Sequence, residues 1–136
     1  MPLPFLTGPQ RRLSTLIVED EPINQQILKA ILTKLGHKTI VVSDGYSAID
    51  LLASTNFDVI LMDVQMPKLN GLETTRIIRS SKESAQTKTV PIIALTAYAM
   101  AGDKEKCMAA GMDYYLSKPV DVKALAKILK NLNSDV

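Results

Sequence analysis

Residues 57–71 read Phe-Asp-Val-Ile-Leu-Met-Asp-Val-Gln-Met-Pro-Lys-Leu-Asn-Gly, and the rest of the chain is read outward from them. Val59 to Met62 is an unbroken apolar run, the pattern of a strand buried on both faces, though a buried helix segment has the same pattern. The run stops at Asp63, and Pro67 with Asn70-Gly71 marks a loop beyond it. A carboxylate at the carboxyl end of a buried strand stands on the rim where open α/β sheets place their sites. Aspartate also caps ordinary turns. This stretch leaves both roles for Asp63 open, and the flanking sequence must decide between them.

Upstream, Leu16-Ile17-Val18 forms a second buried-strand pattern, closed by Glu19-Asp20-Glu21-Pro22. Proline suits the first turn of a helix, and acidic residues there are favoured by the helix dipole. The predicted helix carries Ile23, Ile27, Leu28, Ile31, Leu32 and Leu35 at helical spacing and stops at Gly36. Thr39 to Val42 is a β-branched strand run, Asp44-Gly45 turns the chain, and a shorter helix carries Ala48, Ile49, Leu52 and Ala53. Downstream of Gly71 a helix reaches about Arg79, with Leu72, Ile77 and Ile78 apolar. Ser80 to Thr89 has no periodicity and reads as a loop. Val90 to Leu95 is the next buried strand and ends at Thr96. Ala99 to Ala110 reads as an alanine-rich helix with a weak apolar stripe, closed by Gly111. Tyr114 to Leu116 is a last short strand running into Ser117-Lys118-Pro119. The final helix starts near Asp121, a plausible N-cap, with Leu125, Ile128, Leu129 and Leu132 on one face. Lys123, Lys127 and Lys130 bracket that face and read as solvated surface. His37, just after the Gly36 stop, reads as a surface histidine in a connecting turn.

Strands alternating with helices imply a parallel sheet covered on both faces, with the strand ends gathered on one rim. The groups that follow strands directly are Glu19 and Asp20, Asp63, Thr96 and Lys118. Each has a dull explanation alone. Their joint placement raises the functional reading above it.

Composition narrows the function classes. The chain has 136 residues, 46% of them hydrophobic and 22% charged, which is one ordinary globular domain rather than a disordered chain. A formal net charge of +2 is too small to argue for direct nucleic-acid binding. Aromatic residues make up 4%, too few for a stacking platform for single strands. Cys107 is the single cysteine, so no internal disulfide forms, which fits a reducing compartment. No apolar stretch approaches the ~20 residues that span a bilayer, so no direct membrane role is expected. Residues 1–12 place charge after a short apolar part, the wrong order for a signal peptide, and read as a tail or linker.

Like charges ~4 Å apart repel by about 4 kcal/mol at an effective dielectric near 20. Carboxylates crowded on one rim therefore need a cation or take up protons. Carboxylate oxygens select hard ions, and few protein ligands with several waters suit Mg²⁺. Lys118 offers a mobile positive charge and Thr96 a hydroxyl donor. A carboxylate, a divalent cation, a lysine and a hydroxyl are the parts of phosphoryl transfer, with Asp63 as nucleophile.

On these residues the chain resembles the receiver domain of two-component response regulators, over roughly residues 14–133. Glu19-Asp20 matches the family's acidic pair, Asp63 its phosphoacceptor, Thr96 its switch hydroxyl and Lys118-Pro119 its lysine and proline. Met66-Pro67 and Gly71 match the loop after the phosphoacceptor, and Tyr115 matches the aromatic switch position. The resemblance implies a flavodoxin-like doubly wound (βα)5 fold, a five-stranded parallel sheet of order 2-1-3-4-5, with the receiver over residues 13–134. It also implies Mg²⁺ held by Asp20, Asp63 and the main-chain carbonyl of Gln65, with Glu19 acting largely through water, and a cis Lys118–Pro119 bond. The implied function is a phosphoacceptor switch taking a phosphoryl group from phosphohistidine. The wording of Val18 to Asn24 and of Asp113 to Pro119 is most similar to receivers of hybrid sensor histidine kinases. The family often has two aspartates where this chain has Glu19-Asp20; the pair keeps its charge.

The implied partner is a histidine kinase or a histidine-containing phosphotransfer domain, docking near Ile23, Asn24 and Ile27 with Pro119 close by. A phosphorylation-dependent dimer is a further expectation. The chain is expected not to be an enzyme on external substrates, beyond its own phosphorylation and dephosphorylation, and no Gly-x-x-x-x-Gly-Lys-Ser/Thr motif supports a kinase. Its expected place is the cytoplasm, or the cytoplasmic part of a membrane-bound sensor kinase. A stand-alone single-domain regulator is the first alternative to the hybrid context. A Mg²⁺-dependent aspartate-nucleophile phosphatase of the haloacid dehalogenase type is disfavoured because its second aspartate position holds Gln65. A nucleotide or flavin module is disfavoured because Glu19-Asp20-Glu21 replaces a glycine-rich loop and would repel phosphate. A docking-only receiver is disfavoured by the complete site.

Overall fold

The computed structural model describes residues 11–82, 85–97 and 100–134. Five strands, β1 (Ser14–Val18), β2 (Lys38–Val42), β3 (Val59–Asp63), β4 (Ile92–Thr96) and β5 (Tyr114–Ser117), pair in parallel in the order β2-β1-β3-β4-β5. Among the described residues there are six helices, five between the strands and one after β5: α1 (Pro22–Lys34), α2 (Gly45–Leu52), α3 (Gly71–Arg79), α4 (Ala85–Thr89), α5 (Asp103–Ala110) and α6 (Val122–Ser134).

The apolar strand runs split between two cores because successive strand side chains point to opposite faces. Ile17, Val59, Leu61, Ile93 and Leu95 pack with Leu28 and Leu32 of α1 and Leu125 and Leu129 of α6. Leu16, Val18, Ile60, Met62, Ile92 and Ala94 pack with Ala48, Leu52, Ile78 and Cys107 from α2, α3 and α5. The central strands β3 and β4 are buried at every position, so their ends are fixed from both faces. That rigidity aims Asp63 and Thr96.

Several local expectations change. Residues 80–89 are not all loop, since Ala85–Thr89 forms a short helix. Only Thr87 of that helix is buried, its hydroxyl reaching the Leu52 carbonyl at 3.4 Å, so no apolar stripe announces it. The alternating pattern therefore contains a sixth helix. The helix predicted from Ala99 begins outside the described residues, and the described helix starts at Asp103, behind Gly102 in the left-handed region at φ 84°. Asp44-Gly45 is a helix start rather than a simple turn: Asp44 caps α2, its carboxylate accepting the Ser47 N–H at 2.7 Å.

His37 is buried rather than a surface residue. Its Nδ1 accepts the Leu13 N–H at 3.0 Å, and Lys38 N–H donates to the Leu13 carbonyl at 2.9 Å, so the turn after α1 anchors the entry to β1. Burial lowers the His37 pKa, opposed by the nearby Asp58 charge. Residues 1–10 of the expected tail lie outside the described residues. Arg11 is tied to the domain through Asp58 at 3.2 Å.

Candidate functional site

β1, β3, β4 and β5 end on one rim, and the register delivers the polar groups there. Asp63 is the last residue of β3 opposite Leu95, and Thr96 is the last of β4 opposite Ser117. Glu19 follows β1 directly, and Lys118 follows β5, its N–H donating to the Thr96 carbonyl at 2.7 Å. The Lys118–Pro119 bond is cis. The carboxylates of Glu19, Asp20 and Asp63 offer oxygens within 4.8 Å of one another.

Lys118 Nζ bridges the two buried acids, 2.8 Å from Glu19 Oε1 and 3.1 Å from Asp63 Oδ1. Glu19 is fully buried, and its other carboxylate oxygen accepts the Glu21 N–H at 3.1 Å. Its main-chain carbonyl accepts from Gln25 Nε2 at 2.6 Å. Glu19 thus engages Lys118 directly. Burial, followed by the charge of Glu19, raises the Asp63 pKa to about 7 despite Lys118. Burial alone would lower the Lys118 pKa, but hydrogen bonds to Glu19 and Asp63 outweigh it and raise the value. The pocket is two acids held against their repulsion by one ammonium.

Gly71 closes the loop behind the site. Its N–H donates to the Val64 carbonyl at 3.0 Å, and a Cβ there would lie 2.3 Å from the Asp63 carbonyl oxygen. Only glycine lets α3 start so close to the end of β3. Asn70 and Glu73 complete a reciprocal capping box at that start.

Thr96 is fully buried, and its Oγ1 accepts from the Gln65 side chain at 3.0 Å. Tyr115 is half-buried; its hydroxyl donates to Asp103 Oδ2 at 2.7 Å, and burial with that carboxylate pushes its pKa up to about 12. The side-chain role of Gln65 and the partnership of Asp103 were missed in the sequence. A contact spanning strand ends carries no local signal.

On α1 the predicted stripe is wider than the buried face. Leu28 and Leu32 are buried, but Ile23 is 66% and Ile27 50% exposed. A groove lined by Asn24, Ile27 and Leu28 from α1 and by Pro119 and Val120 opposite also includes Glu19 and Lys118 in its walls. Ile23 sits one turn earlier on α1 than Ile27. The predicted docking residues Asn24, Ile27 and Pro119 thus share one groove with two residues of the acidic pocket. Another pocket, along Lys123, Lys127 and Lys130, lies on α6. Among the described residues, no helix is long and apolar enough to cross a membrane.

Residues 15–130 match the family described as the response regulator receiver domain. The chain is 36% identical over 126 residues to the sensor histidine kinase GacS of Pseudomonas protegens, covering 93% of this chain and 14% of that relative. It therefore spans a small part of the sensor histidine kinase it matches. Among solved structures it resembles the receiver domain of sensor histidine kinase PA1611 from Pseudomonas aeruginosa, which has a magnesium ion in its active site cleft (TM-score 0.81, 40% identity, 91% of this chain and 99% of that one). It also resembles a chain of the co-crystal of the Saccharomyces cerevisiae phosphotransfer protein Ypd1 with the receiver domain of Ssk1 (TM-score 0.81, 31% identity, 93% and 92% covered). A sheet of order 2-1-3-4-5, an acid at the end of its central strand and a lysine reaching that acid agree with these likenesses: the chain belongs to the response regulator receiver family.

Proposed function

We propose that this chain is a phosphoacceptor switch of a two-component phosphorelay, with Asp63 as the residue that is phosphorylated. The observation that carries this reading is the contact of Lys118 Nζ with both Asp63 and Glu19, beside a third carboxylate. An Asp63 Oδ attacks the phosphorus of a partner phosphohistidine in line; the O–P bond forms as the P–N bond breaks, and the imidazole leaves with the electron pair. Lys118 swings its ammonium onto the phosphoryl oxygens, and the Thr96 hydroxyl donates to one of them.

The donor set fits a hard divalent cation, since three oxygens of carboxylates converge within 4.8 Å. Asp20, Asp63 and the Gln65 carbonyl would hold Mg²⁺, with Glu19 behind them, and the ion would supply charge neutralisation at the transferring group. After transfer, the phosphoryl group favours the state in which Thr96 moves toward it and Tyr115 turns inward. The resemblance to GacS and PA1611 supports the receiver of a hybrid sensor histidine kinase as the context, acting in the cytoplasm or as the cytoplasmic part of such a kinase. Asp63 accepts, keeps and loses a phosphoryl group without acting on external substrates. Dimerisation on phosphorylation belongs to the same reading.

Intact-mass analysis after incubation with acetyl phosphate tests the core of it. Wild type with Mg²⁺ is expected to gain one phosphoryl group; Asp63→Asn, or wild type with excess chelator, gains none. Addition to Asp63→Asn would move the acceptor elsewhere.

The partner is a histidine-bearing kinase or phosphotransfer domain seated on the α1 groove, as its exposed isoleucines beside Glu19 and Lys118 suggest. Ile27→Ala is expected to slow transfer from such a partner roughly tenfold, in line with the loss of one apolar anchor, while leaving the acetyl phosphate reaction unchanged. Equal slowing of both reactions would rule out the docking role.

A further inference from the structure

Gln65 binds both the phosphoacceptor and the end of the switch strand. Its main-chain N–H donates to Asp63 Oδ1 at 3.2 Å. Its side-chain Nε2 donates to Thr96 Oγ1 at 3.0 Å, and its Oε1 accepts the Ala97 N–H at 3.2 Å. One carboxamide thereby holds a hydroxyl and a backbone amide on adjacent residues, reaching from the loop after β3 to the end of β4. Thr96 is fully buried, so few other positions are open to its hydroxyl. A hydroxyl has one proton and two lone pairs. Accepting from Gln65 occupies one lone pair of the Thr96 hydroxyl, so the carboxamide is one of the groups that hold it in place.

The switching motion requires Thr96 to travel toward a phosphoryl group on Asp63 and to draw the following loop with it. Both side-chain bonds of Gln65 oppose that travel, because its own main chain is tethered at Asp63. We propose that the Gln65 side chain is a positioning residue that clamps Thr96 and Ala97 in the resting arrangement and sets how readily the domain passes to the phosphorylated one. The inference rests on the phosphoacceptor reading. It concerns the side chain of Gln65, whereas a metal would take its main-chain carbonyl. A bond made in one of two states biases their equilibrium by its full net strength. Two ordinary hydrogen bonds lost on switching therefore shift the equilibrium by roughly thirtyfold.

The test compares wild type with Gln65→Met, a near-isosteric side chain that neither donates to Thr96 nor accepts from Ala97. Three readings are taken: phosphorylation by acetyl phosphate at saturating Mg²⁺, Mg²⁺ affinity from amide shifts, and hydrogen exchange of the Ala97 amide. The variant is expected to phosphorylate roughly three- to tenfold faster and to exchange the Ala97 amide faster, with Mg²⁺ affinity unchanged. Gln65→Ala should give the same pattern, which guards against a local misfit of methionine. A phosphorylation rate equal to or below that of wild type, with the Ala97 amide deprotected, overturns the clamp. A wild type that takes up no phosphoryl group overturns the phosphoacceptor reading itself, and the clamp's part in switching falls with it.

Discussion

The acidic pocket at the ends of β1 and β3 and the flank formed by β5 and α5 are held together by different means. In the pocket, Glu19 is fully buried, bonded through both carboxylate oxygens and its carbonyl, and Lys118 ties it to Asp63. On the flank, Tyr115 meets α5 through a side-chain hydrogen bond to Asp103 and by packing at the edge of the core that includes Cys107. The helix there is eight residues long, with only Cys107 and Ala110 buried, and starts behind a glycine at φ 84°. A site that must present charge in fixed geometry needs the first kind of support. A segment that changes position after the chemistry needs the second, since elements with few buried contacts open at low free-energy cost. Under the proposed function, the difference is what reaction at the pocket and response at the flank require.

Removing the ammonium tests the pocket most severely. Lys118→Ala leaves Glu19 and Asp63 buried together without a partner, and losing one member of a buried charge pair costs about 3 kcal/mol. The cost should depend on pH. Asp63 is raised from 3.8 to about 7, so between those values the folded chain keeps a proton that the unfolded chain has lost. Its ionisation therefore subtracts stability as pH rises through that window. Without Lys118 the folded-state pKa climbs further and the loss extends above neutrality. Urea unfolding should show a larger deficit for Lys118→Ala at about pH 8 than at about pH 5.5. A deficit of the same size at both would mean that Asp63 does not carry the charge imbalance, and the pocket would lose its distinction from the flank.

The same contrast governs what could be read from the sequence. The pocket was legible because its members are the residues that stop apolar runs, and a parallel sheet brings such residues to one rim whatever the side chains do later. Glu19, Asp63, Thr96 and Lys118 needed only the order of strands. The supports around them are contacts between residues far apart in the chain and carry no periodic signal. Gln65 reaches Thr96 across 31 positions, and His37 reaches Leu13 across 24. His37 was misread because a histidine after a helix-ending glycine looks like any turn residue, while its burial depends on β1 arriving beside it. The helix Ala85–Thr89 was missed because one buried threonine makes no stripe. In α1 the spacing showed a broad apolar face but not that Ile23 and Ile27 would remain uncovered. That depends on which neighbouring elements end short of them.

Removing the Tyr115 hydroxyl probes the flank with the smallest expected effect. Tyr115→Phe deletes the bond to Asp103 and keeps the ring against the core, so stability should fall by about 0.5–1 kcal/mol, the usual net strength of a partly exposed hydrogen bond. The main readings are elsewhere. In wild type Tyr115 should titrate near 12, displaced upward by burial and by the Asp103 carboxylate; that transition should vanish in Tyr115→Phe and move down in Asp103→Asn. Amide exchange in the first turn of α5 should quicken, while Asp63 still reacts with acetyl phosphate as in wild type. A slowed Asp63 reaction with unchanged α5 exchange would reverse the assignment. The flank would then be part of the pocket's support, and the division between a rigid site and a movable responder would have to be drawn elsewhere in the fold.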